Sequence, residues 1–144
     1  DSPAAAKQIR KEVLQKTGKK VGVIITDSRT QPLRIGTIGV ALATSGLEPI
    51  VDERGKPDLF RRPLRVTRRA IADQLATAAE ILMGETNDCV PVVLIRHAPV
   101  TLNDKTPSPS ALYVPPEMCF YTNILSGFKA RRHRGGQKQR SHRE

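Results

Sequence analysis

The chain contains 144 residues and carries a net charge of +10, with 38% hydrophobic and 26% charged residues. A chain of this length forms one compact domain rather than two, and its composition excludes a wholly disordered protein. Aromatic residues make up only 3% of the chain, and tryptophan is absent. The positive charge therefore does not by itself predict sequence-specific RNA recognition. Many proteins of that kind stack bases on aromatic side chains, and this chain has few of them.

The cysteines and the apolar runs exclude further classes of protein. Cys89 and Cys119 lack the spacing of a zinc ribbon, and two cysteines are too few for a multi-disulfide scaffold. No apolar run reaches the roughly 18–20 residues of a membrane span, and no signal-peptide pattern opens the sequence. We therefore expect a soluble, cytoplasmic protein without a membrane segment.

The first part of the chain predicts one helix and two strands. Ser2 and Pro3 suit the start of a helix, and Gly18 predicts its end. The branched apolar run VGVIIT at residues 21–26 predicts a strand that is covered on both faces. A second apolar run with small residues, GTIGVALAT at residues 36–44, predicts another strand.

The middle of the chain predicts loops, a second helix and a last strand. Glycines and prolines interrupt residues 45–62, which indicates loops with one short hairpin. Thr67 suits the cap of a helix that continues to Met83 and ends at Gly84. PVVLIR at residues 91–96 predicts the last strand. This alternation predicts an α/β (α+β) fold with a mixed sheet and flanking helices.

The end of the chain differs in composition from the rest. Residues 1–100 form the predicted core, and residues 101–128 are a proline-rich segment that we expect to be extended. Residues 129–144 contain seven Lys or Arg residues against one acid, a local charge of +6 that leaves +4 for the remainder. More than half of the net charge therefore belongs to a basic tail, which we expect to be flexible.

Two segments carry oxygen ligands that suit a divalent cation. Asp27 and Ser28 follow the first predicted strand, and a carboxylate beside a hydroxyl can bind Mg²⁺ or Mn²⁺. Glu85 follows Gly84 at the end of the second helix and can share a metal with Asp27 if the two elements are neighbours. The alternative is structural: a strand-end aspartate that closes a turn, and a polar loop between a helix and a strand.

An arginine cluster is the third candidate site. Arg68 and Arg69 would occupy the first turn of the second predicted helix, where cations oppose the helix dipole and a nearby anion would relieve the conflict. Phosphate, a polycarboxylate substrate or an acidic partner would serve, and solvated helical surface is the equally weighted alternative. The cluster comprises Arg61, Arg62, Arg65, Arg68 and Arg69.

The sequence carries no signature of a protein nucleophile or of a common nucleotide loop. His97, His133 and His142 have no metal-ligand spacing, and no catalytic serine or cysteine motif accompanies them. The glycine-rich loop of P-loop NTPases is also absent, so a nucleotide site would be of another kind. No residue is therefore predicted to be catalytic.

Several short motifs, in the same order, resemble the C-terminal half of the coenzyme F-420 gamma-glutamyl ligases. The resemblance covers approximately residues 1–96. The motifs that carry it are VGVIITDS, Arg34 and Gly36 with GVA, SGLEPIVDERGKPDLF with RVT, the alanine-rich helix leading into MGE, and VPVVLIR. A set of motifs in order is more specific than any one of them.

The resemblance implies a GTP-dependent ligase that joins L-glutamate to a deazaflavin precursor through an acyl phosphate. It also implies Mg²⁺ or Mn²⁺, held by Asp27, Ser28 and Glu85, with two metals on the transferred phosphate oxygens. A homodimer is expected as well. The implied nucleotide-binding residues are Met83, Gly84, Glu85, Thr86, Asn87, Asp88, Cys89 and Val90.

This sequence departs from the family pattern in two respects. Family members carry a further N-terminal half, with another metal-ligand aspartate, and after Ser28 they continue with Phe-Gly-Arg-Pro-Trp where this chain has RTQPL. Our first hypothesis is a part of such a ligase that needs residues outside this chain and is inactive alone. The alternative is a non-catalytic, ligase-like subunit of a larger assembly, such as a ribonucleoprotein, that binds RNA or an acidic partner through residues 129–144.

Overall fold

The computed structural model describes residues 1–122, so the predicted basic tail at residues 129–144 lies outside the described residues. The elements are α1 (Ser2–Thr17), β1 (Val23–Thr30), β2 (Thr37–Ser45), β3 (Ile50–Asp52), β4 (Arg68–Ala70) and α2 (Ile71–Met83), followed by short 3₁₀ turns at Pro109–Ala111 and Pro116–Met118. One compact unit, Asp1–Leu112, contains α1, α2 and the four strands of the described residues, and a further unit begins at Tyr113. The predicted α/β class is confirmed.

The strands form two small antiparallel sheets, β1 with β2 and β3 with β4. Strand β1 is longer than the apolar run that predicted it, because Asp27 pairs with Val40 and Ser28 with Gly39. The prediction that Asp27 and Ser28 follow the strand is therefore wrong: both lie within it. Polar residues can continue the strand here because one face of an antiparallel sheet can be exposed to solvent.

Helix α1 begins and ends as capping chemistry dictates. The Asp1 Oδ1 atom accepts a hydrogen bond from the Ala4 N–H at 3.3 Å, so Asp1 rather than Ser2 is the N-cap. Gly18 ends the helix at φ 66°, as predicted, and its N–H donates to the Leu14 carbonyl. A residue without a Cβ reaches this left-handed conformation at little cost.

Helix α2 starts later than its sequence suggests. Thr67 does not cap it, because Arg68–Ala70 forms strand β4 against β3, and α2 begins at Ile71 with no side-chain cap. Arg68 and Arg69 are therefore strand residues, and the predicted conflict with the helix dipole does not exist. Gly84 ends the helix as predicted, at φ 71°, with its N–H donating to the Glu80 carbonyl at 2.9 Å.

Residues 91–96 do not form the predicted strand. No neighbouring strand pairs with them within the described part of the chain, and Val92 and Leu94 are 78% and 68% exposed. Branched apolar residues favour a strand, but the strand forms only when the backbone of a neighbouring strand pairs with it. Residues 91–95 instead line one wall of an apolar groove of about 530 Å³, whose other walls include β1 and α2.

Arg10 connects α1 by hydrogen bonds to a residue before β1 and to residues 103–104. Its guanidinium donates to the Val21 carbonyl at 3.2 Å, to the Asn103 carbonyl at 2.8 Å and to Asp104 Oδ1 at 2.6 Å. A bridge between Leu47 and Leu102 adds to this contact. Residues 102–104 thus pack against earlier parts of the same compact unit. The division of the chain at residues 100 and 128 stays a prediction.

The core is built from small side chains, which lets backbones approach closely. A Cβ on Gly39 of β2 would lie 2.6 Å from the Ala76 carbonyl oxygen of α2, so only glycine fits at this crossing. Thr77 Oγ1 donates to the Gly39 carbonyl at 2.8 Å, and Asp73 Oδ1 accepts from the Ala41 N–H at 2.9 Å. The buried apolar residues are Ala6, Ala41, Ala43, Leu47, Ile71, Ala72, Ala76 and Ala79.

A bulge frees the Ala41 N–H for that bond. Ile25 pairs with Ala43 and Thr26 with Ala41, which leaves Leu42 as the extra residue of β2. The Asp73 carboxylate on α2 therefore reaches a strand amide at a point where the ladder is interrupted. Among residues 1–122, no helix combines the length and the apolar character that crossing a bilayer requires.

Replacing Gly39 with alanine should separate α2 from β2. The added methyl group would meet helix backbone, which cannot move aside as a flexible side chain can, so we expect a loss of about 1–3 kcal/mol in the free energy of unfolding. Urea unfolding measures this loss, and amide NMR shifts at Ser28 and Glu85 should change with it.

Gly55→Ala is the matched control. Gly55 lies in open space at φ 83°, so its substitution strains the backbone without touching α2. Unchanged Ser28 and Glu85 shifts are expected in this variant. A Gly39→Ala protein with wild-type stability and wild-type shifts would contradict the close helix–strand contact.

Candidate functional site

The two segments with predicted metal ligands meet in space. Ser28 Oγ on β1 donates a hydrogen bond to Glu85 Oε2 at 3.1 Å, across 57 positions of sequence. Thr37 Oγ1, at the start of β2, donates to Glu85 Oε1 at 3.1 Å. Each oxygen of the Glu85 carboxylate thus receives one hydroxyl, and each hydroxyl comes from a different strand of the sheet.

The register of the sheet explains why both hydroxyls reach the same carboxylate. Ser28 pairs with Gly39, and Thr37 lies two residues before Gly39, so all three positions share one face of the sheet. Gly39 has no side chain on that face, which admits the middle of α2 at Ala76 and Thr77. Gly84 then turns the chain so that Glu85 lies over the strands.

A cavity of about 270 Å³ opens where these elements meet. Asp27 lines it from β1, and its Oδ1 atom accepts from the Ser28 N–H at 2.8 Å. The cavity is therefore bordered by β1, β2 and the end of α2. Its lining residues are Thr26, Asp27, Ser28, Gly39, Glu80, Met83, Gly84, Glu85 and Thr86.

Glu80 is a site residue that the sequence analysis missed. Partial burial and the neighbouring Glu85 and Asp27 carboxylates raise the pKa of Glu80 to about 7, opposed by a hydrogen bond with the Gly39 backbone. The signal was present: a single acid in the apolar stretch ATAAEILM. Hydrogen bonds from Glu80 and the Ser28 hydroxyl hold the pKa of Glu85 below its usual value.

The donor atoms of this site are those that hard cations bind. Carboxylate oxygens of Asp27 and Glu85 and the Ser28 hydroxyl suit Mg²⁺ or Mn²⁺ by their chemistry. In residues 1–122, however, no three His, Cys, Asp or Glu side chains are already arranged as a metal-binding group. The residues present therefore fit such an ion by donor type, as a partial ligand set of two carboxylates and a hydroxyl.

The predicted nucleotide segment, residues 83–90, borders the cavity only with its first half. Met83, Gly84, Glu85 and Thr86 line it, whereas the following four residues do not. Thr86 Oγ1 donates to Asp88 Oδ2 at 3.0 Å, and a Cβ on Gly84 would collide with that same carboxylate. The glycine therefore permits the tight turn that carries the segment from α2 to the cavity.

The arginine cluster does not border the cavity, and part of it already has anionic partners. Arg69 Nε lies 2.7 Å from Glu53 Oε1, and Arg68 Nε lies 3.8 Å from Asp52 Oδ2. Hydrogen bonds from Arg54 hold the pKa of Asp52 well below its usual range. The expected anion beside Arg68 and Arg69 is thus the chain's own pair of acids at the end of β3.

The other three arginines of the cluster belong to the loop between β3 and β4. Arg62 lies over the Phe60 ring, with its guanidinium carbon 5.3 Å from the ring centroid. The Asp58 Oδ1 atom accepts from the Phe60 and Arg62 N–H groups, both at 2.8 Å, and thereby closes the turn. Arg61 lies in this turn at φ 62°. None of these contacts reaches the cavity.

Comparison with known proteins identifies the family. A family model described as F420-0:Gamma-glutamyl ligase matches residues 1–97. The chain belongs to this family. The match contains both strands of the site, helix α2 and the turn that carries Glu85.

Curated relatives lead to the same family. The chain is 48% identical over 102 residues to a protein named coenzyme F420:L-glutamate ligase from Methanococcus maripaludis strain C7, covering 71% of this chain and 41% of that one. It is 49% identical over 96 residues to the protein of the same name from Methanocaldococcus jannaschii, covering 67% of this chain and 39% of that one. The chain thus spans about two fifths of the length of the relatives it matches.

The raised pKa of Glu80 predicts how stability depends on pH. Between about pH 4.5 and pH 7 the folded chain binds more protons at Glu80 than the unfolded chain, so this group's contribution to stability is lost as the pH rises through that window. Glu80→Gln removes the effect. In urea unfolding with a chelator present, the variant should gain stability relative to wild type from pH 5 to pH 8.

Glu12→Gln, which removes one carboxylate from the surface of α1, is the matched control. Comparing each variant with wild type cancels pH effects that do not arise from the substituted residue. If the free energies of unfolding of wild type and Glu80→Gln changed in parallel with pH, the close approach of the Glu80, Glu85 and Asp27 carboxyl groups would be contradicted.

Proposed function

We propose that this chain forms the metal-binding and nucleotide-binding part of a GTP-dependent ligase that adds L-glutamate to a deazaflavin coenzyme F-420 precursor. Membership of the ligase family supports the reaction class. The observation that carries the assignment of the site is the Ser28–Glu85 hydrogen bond, because it joins two distant motifs at one cavity that Asp27 also lines.

In this proposal Asp27, Ser28 and Glu85 bind Mg²⁺ or Mn²⁺, and residues 83–90 contact the nucleotide. Bound metal ions would neutralise charge on the phosphate oxygens. The chain's own residues define where the ligands lie. Asp27 and Ser28 are fixed by the β1–β2 ladder, whereas Glu85 is fixed by its two hydroxyl donors and by the turn at Gly84.

The proposed reaction forms one amide bond at the expense of one phosphoanhydride. The GTP γ-phosphoryl group passes to a carboxylate of the precursor, which gives an acyl phosphate and GDP. The glutamate amine then attacks the acyl carbon, and inorganic phosphate leaves. Both nucleophiles belong to the substrates, which agrees with a sequence that carries no motif for a protein nucleophile.

The complete site is proposed to need residues outside this chain. The chain covers 41% and 39% of two curated relatives, so an N-terminal half, in the same polypeptide or in another chain, would supply the remaining ligands. A homodimer is proposed from the family resemblance. The 144-residue chain alone is therefore expected to be inactive in ligation.

Large apolar side chains are exposed on the described part of the chain, which supports a larger assembly. Leu33 and Ile35 before β2, Leu59 in the β3–β4 loop and Ile81 near the end of α2 are each more than four-fifths exposed. A non-catalytic role in a ribonucleoprotein has no comparable support. It depends on residues 129–144, which lie outside the described residues.

Metal binding tests the proposal without requiring a complete enzyme. Mn²⁺ titrated into the 144-residue chain should bind, and Glu85→Gln or Asp27→Asn should weaken this binding at least about tenfold, because each removes a charged ligand. Isothermal titration calorimetry gives the affinity. A second titration with GTP in the presence of Mn²⁺ tests the nucleotide site.

Glu12→Gln controls for the loss of one negative charge, because Glu12 lies on α1 beside Gln8 and Lys16. Its Mn²⁺ affinity should equal that of wild type. The metal assignment would be wrong if wild type bound no Mn²⁺, or if all four proteins bound it equally.

A further inference from the structure

We infer that Thr37 is a positioning residue of the metal site: its hydroxyl orients the Glu85 carboxylate without itself binding the ion. The inference deepens the proposed function and rests on it. Neither the sequence motifs nor the family resemblance pointed to this threonine. It is identified by one contact, the 3.1 Å hydrogen bond from Thr37 Oγ1 to Glu85 Oε1.

The geometry separates the roles of the two hydroxyls that contact Glu85. Ser28 follows Asp27 directly, and both residues line the cavity, so its oxygen is available as a ligand. Thr37 does not line the cavity, yet it donates to the carboxylate oxygen that Ser28 leaves free. Thr37 therefore acts on the site through Glu85 alone.

Glu85 depends on its hydrogen-bond partners, the two hydroxyls and Glu80, because its place in the chain does not by itself fix its side chain. It is exposed and follows the end of α2, and a glutamate side chain at such a position samples several rotamers. Two hydroxyls on two oxygens restrict both the position and the rotation of the carboxylate. Restricting a ligand before the ion arrives raises affinity, because less ordering remains for the binding step.

The backbone at Thr37 belongs to the β1–β2 sheet. Thr37 is the first residue of β2 and pairs with Thr30, the last residue of β1. A threonine has few side-chain rotamers, and its branched Cβ suits a strand. The hydroxyl is thus held by the sheet, whereas the carboxylate that it contacts belongs to a turn. This difference in rigidity makes the strand residue the one that orients the other.

The test compares variants that differ in a single hydroxyl. Thr37→Val keeps the branched shape and removes the donor, and Thr37→Ser keeps the donor. Thr30→Val makes the same change at the paired position, where the structure gives no side-chain hydrogen bond within residues 1–122. Mn²⁺ affinity of the full 144-residue chain is measured by calorimetry, and the bound ion is observed by electron paramagnetic resonance.

Thr37→Val should bind Mn²⁺ about tenfold more weakly than wild type, in the range found when residues that orient metal ligands are changed. Its resonance spectrum should show an altered ligand environment. Thr37→Ser should restore both properties, and Thr30→Val should leave both unchanged. A merely structural role for Thr37 would alter stability without this pattern of rescue.

The possible failures are distinguishable. If wild type binds Mn²⁺ and Thr37→Val binds it equally well, the inference is overturned while the metal site stands. It is also overturned if Thr37→Ser fails to rescue, or if Thr30→Val weakens binding as much as Thr37→Val does. If wild type binds no Mn²⁺, the proposed metal site fails, and the role of Thr37 fails with it.

Discussion

The structure depends on the close approach of α2 to β2 at Gly39. A methyl group at that position would lie 2.6 Å from the Ala76 carbonyl oxygen, so the two backbones are in direct contact. The bonds from Thr77 to the Gly39 carbonyl and from the Ala41 amide to Asp73 hold this distance from both sides. Because the core consists mainly of alanines, close packing of backbones replaces the large side chains that fill most cores.

The same contact creates the electrostatic character of the site. With α2 so near the sheet, Glu80 and Glu85 reach the face of β1 that carries Ser28, beside Asp27. Partial burial, together with the neighbouring carboxylates, disfavours ionisation of Glu80 and raises its pKa to about 7. A cation bound among these groups would relieve that repulsion. The close approach of α2 to β2 at Gly39 therefore underlies both the helix packing and the proposed metal site.

The sequence predicted the parts of the fold that local chemistry determines. Gly18 and Gly84 end their helices as expected, and the motif order indicated the family that the comparisons support. Predictions failed where a distant partner decides the outcome: residues 91–96 lack a neighbouring strand, and Thr67 precedes a strand rather than a helix. Thr37 and Glu80 escaped notice because their importance comes from contacts with Glu85 that no spacing in the sequence reveals.

Paramagnetic broadening by Mn²⁺ in amide NMR spectra tests the central claim most directly, that α2 brings two distant segments into one site. At substoichiometric Mn²⁺, amides of Asp27 and Ser28 should broaden together with those of Glu85 and Thr86, while amides of the β3–β4 loop remain sharp. Broadening that affects only one of the two segments, or that is spread evenly over the acidic residues of the surface, would contradict a single shared site.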